Sequence, residues 1–361
     1  MIRSVSFQNF RGFKHLELPD LAPITLLSGK NNAGKSTVLE GLFLLVDYND
    51  PMCFNKICNF RGLPFIPDFD ILWKPLFYRL NADEPIHIFA RLEHNTELIY
   101  CREDSSSVLP QDLKGMTPDA INRFMSSTQG GYTLGFRFRQ KEISYTESRR
   151  FVVRPDGLIA SELTGFLDSQ GRERAAMPFT LMINSTITAL QSPVELFGRL
   201  ELGGRKSEIL EILNKMDQAF SDITAITTNG QTQLYGNMGG KLLPMRLAGD
   251  GMNRLLFIML SIMENPNSII LIDEVENGFH YSMYPVIWEA IANAAHESNC
   301  QVIATTHSYE CVTGAIEGIE KADMKDNFCF FRLAQEKNGR CAYRFSYDVL
   351  RTALDAEMEV R

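Results

Sequence analysis

Residues Gly29-Lys30-Asn31-Asn32-Ala33-Gly34-Lys35-Ser36 satisfy G-x-x-x-x-G-K-[ST] at every position. Few patterns constrain a fold so tightly, because this one works only between a buried strand and a helix. Both flanks comply. Pro23-Ile24-Thr25-Leu26-Leu27-Ser28 is a short apolar run that predicts a buried strand stopped by Gly29. From Lys35 to Val46, Val38, Leu39, Leu42, Phe43, Leu45 and Val46 recur at helical spacing and predict a helix with a broad buried face. Glycine lets the loop N–H groups turn inward onto phosphate oxygens, and the helix start adds its positive dipole end. Gly29, Asn31, Asn32, Ala33, Gly34, Lys35, Ser36 and Thr37 are therefore the candidate nucleotide contacts. Lys35 is placed to reach the β- and γ-phosphates of ATP, and the Ser36 hydroxyl to hold Mg²⁺.

A phosphate loop needs acidic partners on the same sheet edge, and the last third of the chain supplies them. A helix over about Gly251–Met263 leads to an apolar strand, Ser268–Ile272, that ends in Asp273-Glu274. A second helix, about Ser282–His296, leads to a strand at Gln301–Ala304. Strand, helix, strand is a βαβ unit, whose parallel strands bring their C-terminal ends to one edge. There Asp273 is expected to hold Mg²⁺ through water, and Glu274 to polarise the attacking water as general base. His307 follows the next strand, where a γ-phosphate can be sensed. Glu274, His307 and Lys35 are the candidate catalytic residues; Ser36 and Asp273 are the candidate metal ligands.

Composition narrows the class. With 361 residues, 45% of them hydrophobic, the chain can bury a large core, which excludes a disordered protein. A net charge of −8 argues against a surface that grips nucleic acid all over. No apolar run approaches the roughly 20 residues of a membrane helix, and no signal-peptide core is found, so no membrane contact is expected. Seven scattered cysteines without a C-x-x-C pair suggest neither disulfides nor zinc. The expectation is a reduced, cytoplasmic protein.

Between the two ends the pattern is looser. Ile2–Leu18 alternates and predicts a hairpin bending at Arg11-Gly12; Ile86–Leu92 and Glu97–Cys101 predict paired strands. The polar composition between Ser105 and Gly130 predicts a loop or a mobile helix, and Tyr132–Val153 predicts strands again. Lys206 to Phe220 carries the apolar spacing of an amphipathic helix. Trp73, Leu76, Phe77 and Tyr78 are expected in the core. From Phe136 to Arg154, six basic residues outnumber Glu142 and Glu147 and alternate with phenylalanines. Such a hairpin can present a solvated outer face or touch a phosphate backbone.

Four ordered motifs together resemble the ABC-type ATPase heads of the SMC and OLD (overcoming lysogenization defect) group. Phe7-Gln8-Asn9-Phe10-Arg11-Gly12-Phe13 is similar to the group's N-F-R-x-F start. Leu247-Ala248-Gly249-Asp250-Gly251-Met252-Asn253-Arg254 resembles its signature loop, although no serine is present. Asp273-Glu274-Val275-Glu276-Asn277-Gly278-Phe279-His280 is similar to its Walker B and D-loop, and Gln301–Ser308 to its histidine switch. The resemblance implies an α/β P-loop NTPase of ABC type, with a mixed β-sheet lobe, a RecA-like parallel sheet and an inserted α+β arm. It divides the chain into a Walker A part (1–104), the arm (105–204) and a part with signature, Walker B and switch (205–361). It also adds Arg11, Gly249, Asp250 and Gly251 to the nucleotide contacts, the last three in trans across a head-to-tail homo-oligomer of even number. Without a serine, that trans contact falls to backbone amides, to Arg246 or to Arg254. Only 54 residues follow His307, too few for the Toprim nuclease domain of OLD proteins, so a separate effector is expected. The resemblance thus implies an ATPase that gates an effector in antiphage defence. A DNA-repair clamp that binds nucleic acid and an ATP-bound scaffold are the other two readings.

Overall fold

The computed structural model describes all residues except 49, 51–52, 64–72, 104–131, 142–144, 154–158, 167–176, 185–191, 338 and 361. The alternating start forms the expected hairpin, β1 (Ser4–Phe10) and β2 (Phe13–Leu18), with Phe10 opposite Phe13 across the bend. The apolar run becomes β3 (Ile24–Gly29), buried along its whole length. Helix α1 (Lys35–Val46) follows over the predicted span and buries every residue from Thr37 onward. After α2 (Cys53–Phe60), strands β4 (Ile86–Arg91) and β5 (Asn95–Glu103) pair antiparallel, as expected. Strands β6 (Tyr132–Gln140), β7 (Tyr145–Val153) and β8 (Ile159–Phe166) continue that sheet, in the order β2-β1-β4-β5-β6-β7-β8. Trp73, Leu76 and Phe77 are buried against it.

Strand β9 (Thr180–Ile183) leads to α3 (Pro193–Leu202) and α4 (Lys206–Met216). The predicted helix reached Phe220, but α4 stops at Met216, where Asp217 turns to extended backbone. Phe220 instead starts β10 (Phe220–Thr228) and lays its ring where a Cβ on Gly236 would stand. With β11 (Gln231–Met238) and β12 (Lys241–Pro244) it forms a three-stranded sheet that the sequence did not announce. Then come α5 (Asp250–Met263), β13 (Ile269–Ile272), α6 (Tyr284–Glu297), β14 (Gln301–Thr305), α7 (Tyr309–Lys321), β15 (Phe328–Glu336), β16 (Gly339–Ser346) and α8 (Tyr347–Asp355).

The second large sheet runs β16-β15-β3-β14-β13-β9, parallel throughout except for β16 at its edge. Its strands are apolar on both faces because both are covered. Leu27, Leu271 and Ile303 face α1 and, beyond it, the antiparallel sheet. Leu26, Ile270, Ile272 and Val302 face the core built on α5, α6 and α7. Residues assigned by sequence to an inserted arm take part in both sheets: β6 to β8 extend the antiparallel one, and β9 is the edge of the parallel one. The segment 105–130 lies outside the described residues. In the basic hairpin Phe138 is buried and Arg137 exposed; the side chains of Arg149, Arg150 and Arg154 are not among those described. Among the described residues no helix is long and apolar enough to cross a membrane.

Candidate functional site

Because β3, β13 and β14 are parallel neighbours, the residues that follow them meet at one edge. A cleft of about 480 Å³ opens there, lined by Asn31, Asn32, Gly34, Lys35, Ser36, Thr37, Arg61, Asp273, Glu274 and His307. Gly29 and Ala33 shape the loop behind it: Lys35 Nζ donates to the Gly29 carbonyl at 2.8 Å, and Ala33 N–H to the Lys30 carbonyl at 3.1 Å. Gly34 has φ +106°, and a Cβ there would stand 2.6 Å from the Phe13 ring. The Arg340 guanidinium lies 5.6 Å from the centroid of that ring and donates to the Asn32 carbonyl at 2.9 Å. The first turn of α1 has neither an acidic residue nor a side-chain cap, which leaves its N–H groups open to an anion. Burial holds the Lys35 ammonium below its usual value, against the opposing pull of the Glu276, Asp273 and Glu274 carboxylates.

The acidic pair is held from several sides. Asp273 Oδ1 accepts the Ser36 hydroxyl at 3.0 Å and the Thr305 hydroxyl at 2.6 Å. An adjoining hydroxyl and carboxylate are hard oxygen donors, the set that suits Mg²⁺ alongside substrate phosphates. Glu274 sits at φ +49°, a left-handed conformation unusual for a residue with a side chain. It is pinned by its N–H to Thr305 Oγ1, its carbonyl to Arg254 and its carboxylate to Asn277 Nδ2, at 2.9, 2.9 and 2.6 Å. His307 lies beside it, with Nδ1 2.9 Å from Glu276 Oε1.

Two sequence expectations place differently. Arg11 does not line the cleft; it forms an ion pair with Glu40 on α1 at 2.7 Å. Glu40 is buried and also accepts from Arg61 Nε at 2.5 Å, and it is Arg61 that reaches the cleft. Glu40 raises the Arg61 guanidinium above its usual value, while burial lowers Arg11 despite the same carboxylate. Arg254 is not free for a trans contact. It is 2% exposed and donates to the carbonyls of Asn184, Asp273 and Glu274, tying α5 to the Walker B turn.

Gly249, Asp250 and Gly251 lie outside their own subunit's cleft, at the start of α5. Gly249 and Asp250 are exposed. Gly251 has a further reason to be glycine, since a Cβ there would stand 2.4 Å from the Gly278 carbonyl oxygen. Sequence reasoning gave no role to Arg61, Glu276, Thr305 or Arg340. Glu276 and Thr305 lie inside motifs already singled out, whereas Arg61 and Arg340 carry no local signal.

Residues 1–148 match a family model described as AAA ATPase domain. Residues 141–312 match a family of AAA domains whose description also names the AbiEii toxin and a Type IV TA system. Over 355 residues, 93% of each chain, the protein is 26% identical to a Helicobacter pylori protein named ATP/GTP phosphatase. A 46-residue stretch is 46% identical to an uncharacterised protein of Methanocaldococcus jannaschii, covering 13% of this chain and 21% of that one. In fold, the chain is similar to SmcHead in a crystal structure with the C-winged helix domain of ScpA. The TM-score is 0.53 at 13% identity, with 98% and 99% of the two chains covered. It is also similar to an Smc head domain with an extended coiled coil, bound to the C-terminal domain of ScpA derived from Pyrococcus furiosus. There the TM-score is 0.50 at 11% identity, with 99% of each chain covered. The chain is an ATPase with a P-loop NTPase fold, similar in fold to SMC heads.

Proposed function

We propose that this ATPase closes two copies head to tail around ATP in the cytoplasm, and that closure controls a separate effector protein in antiphage defence. The observation that carries this reading is the place of Gly249–Gly251. A helix start with exposed backbone and a positive dipole end stands away from its own cleft, where it serves no nucleotide of its own subunit. Leu247, two residues before it, is 73% exposed. For the effector, support comes from the toxin-system description of the matched AAA domains. The ScpA-bound SmcHead, similar in fold, is a head that engages another protein.

Within each cleft the chain's own groups divide the work. The loop N–H groups and Lys35 hold the phosphates, Ser36 and Asp273 would hold Mg²⁺, and Glu274 takes a proton from the attacking water. Mg²⁺, when bound, neutralises charge developing on the phosphates.

The test uses three variants. Glu274→Gln with ATP should sediment as an even-numbered assembly, and Lys35→Ala should not. Leu247→Glu puts a negative charge at the proposed trans surface and should lose turnover as a homo-oligomer. Mixed with Lys35→Ala it should regain activity, because the mixed pair holds one intact composite site. No recovery in the mixture would rule out a shared site.

A further inference from the structure

The β15–β16 hairpin frames the phosphate loop at two places. Strand β15 runs parallel to β3 with Leu333 opposite Gly29, so close that a Cβ on Gly29 would collide with the Leu333 carbonyl oxygen. Arg340, opposite Gln335 at the start of β16, reaches the loop further along. Its Nη2 donates to the Asn32 carbonyl at 2.9 Å, and Asn32 sits in the left-handed region at φ +64°, which a residue with a side chain adopts only at a cost. The guanidinium also lies 5.6 Å from the centroid of the Phe13 ring, the ring that fills the space beside Gly34, itself at φ +106°. Arg340 thus bears on both left-handed residues inside the loop. To get there it crosses the β1–β2 bend, where a Cβ on Gly12 would land on its Nη1. Arg340 has no ion pair and its Nε no hydrogen bond among the described residues, and burial holds the guanidinium below its ordinary value. A partly desolvated cation without an acid beside it adds little to the fold, so its bond to Asn32 asks for a reason in what the loop does. Arg340 itself does not line the phosphate cleft.

We propose that Arg340 is a positioning residue of the nucleotide site, holding the phosphate loop in its phosphate-ready shape before a nucleotide arrives and without touching the nucleotide. A loop free to leave that shape is competent for only part of the time, and its apparent affinity falls by that fraction. The effect lands on binding and not on chemistry, because bound phosphates order the loop themselves. It is also the same for any ligand that the loop grips by its phosphates, whatever nucleoside they carry. This rests on ATP being bound in this cleft.

The test is calorimetry with Mg²⁺ and ATP, ADP or inorganic tripolyphosphate, together with turnover at saturating ATP. Arg340→Ala removes the guanidinium. Gly12→Ala keeps it but displaces it, because the three atoms nearest the new methyl all belong to Arg340 and the Gly12 backbone lies outside the left-handed region. Each variant should lose about tenfold in affinity for all three ligands, with kcat within about twofold of wild type. The nucleotide-free melting temperature should stay within a few degrees. The double variant should bind no worse than either single one, since both changes act through one guanidinium. Wild-type affinity in Arg340→Ala overturns the proposal, and so does a fall in kcat at unchanged affinity. A loss for ATP and ADP but not for tripolyphosphate also overturns it, because that would mark a contact with the nucleoside. Failure of the cleft reading itself would look different, with Lys35→Ala binding ATP normally.

Discussion

The Thr305 hydroxyl donates to Asp273 Oδ1 at 2.6 Å and accepts the Glu274 N–H at 2.9 Å, so one buried side chain at the end of β14 sets both acids of the site. Thr305→Val keeps the shape and removes both bonds. It leaves the Glu274 N–H unsatisfied, at a cost of about 1–3 kcal/mol. Urea denaturation should show that loss, and Mg²⁺-ATPase activity should fall by roughly tenfold or more. Thr305→Ser should stay close to wild type in both measurements.

Lys35→Ala should separate binding from folding. The variant loses bonds to the Gly29 and Lys30 carbonyls but also sheds a half-buried ammonium that desolvation disfavours. Its melting temperature without nucleotide should therefore stay within a few degrees of wild type. ATP with Mg²⁺ at 100 times the wild-type Kd stabilises a binding-competent chain by about 2.7 kcal/mol. Scanning fluorimetry should show that shift in the wild type and none in Lys35→Ala.

Gly251→Ala should be costly although the residue touches no part of its own cleft. The new methyl would stand 2.4 Å from the Gly278 oxygen and 3.2 Å from the Phe279 ring. Backbone must move, which costs about 1–3 kcal/mol, and the D-loop carrying Glu276 moves with it. Chemical denaturation and turnover should both fall. Leu247→Glu, at an exposed position, should leave stability unchanged.

Burial pushes the Cys311 thiol up to about 12, with the Glu276 charge adding to the effect. The folded chain keeps a proton that the unfolded chain releases near pH 9. This contribution is therefore complete below pH 9 and is lost as pH rises toward 12, by about 1.4 kcal/mol per pH unit. Denaturation midpoints of wild type and Cys311→Ala, compared between pH 8 and pH 10.5, should converge as pH rises. Native-state thiol labelling should spare Cys311.

What could be read from the sequence was whatever local pattern decides. The β3 run, the α1 stripe and the βαβ unit from β13 to β14 are buried on both sides, so their periodicity states their place directly. Strands β10 to β12 are largely exposed and polar, and β9 is only four residues long, so neither rises above the background of loops. Phe220 read as the end of a helix because its burial depends on Gly236, a residue of the next strand. The site divided in the same way. Lys35, Ser36, Asp273, Glu274 and His307 sit at strand ends, where topology alone brings them together. Glu40 pairs with both Arg11 and Arg61, and which of the two reaches the cleft is decided by tertiary packing.

Strand β3 lies between β14 and β15, so the phosphate loop hangs from a strand whose two neighbours come late in the chain. Roughly 270 residues separate Gly29 from Gln301, about 15–50 s of synthesis at ordinary ribosome speeds. Through that interval every residue of the Walker A motif exists, but the sheet that orders it does not. A nascent chain therefore cannot engage ATP before β14 and β15 have emerged. Contacts this distant also make for slow refolding. The chain order thus works as a timer, holding back nucleotide binding until β14 and β15 have been made.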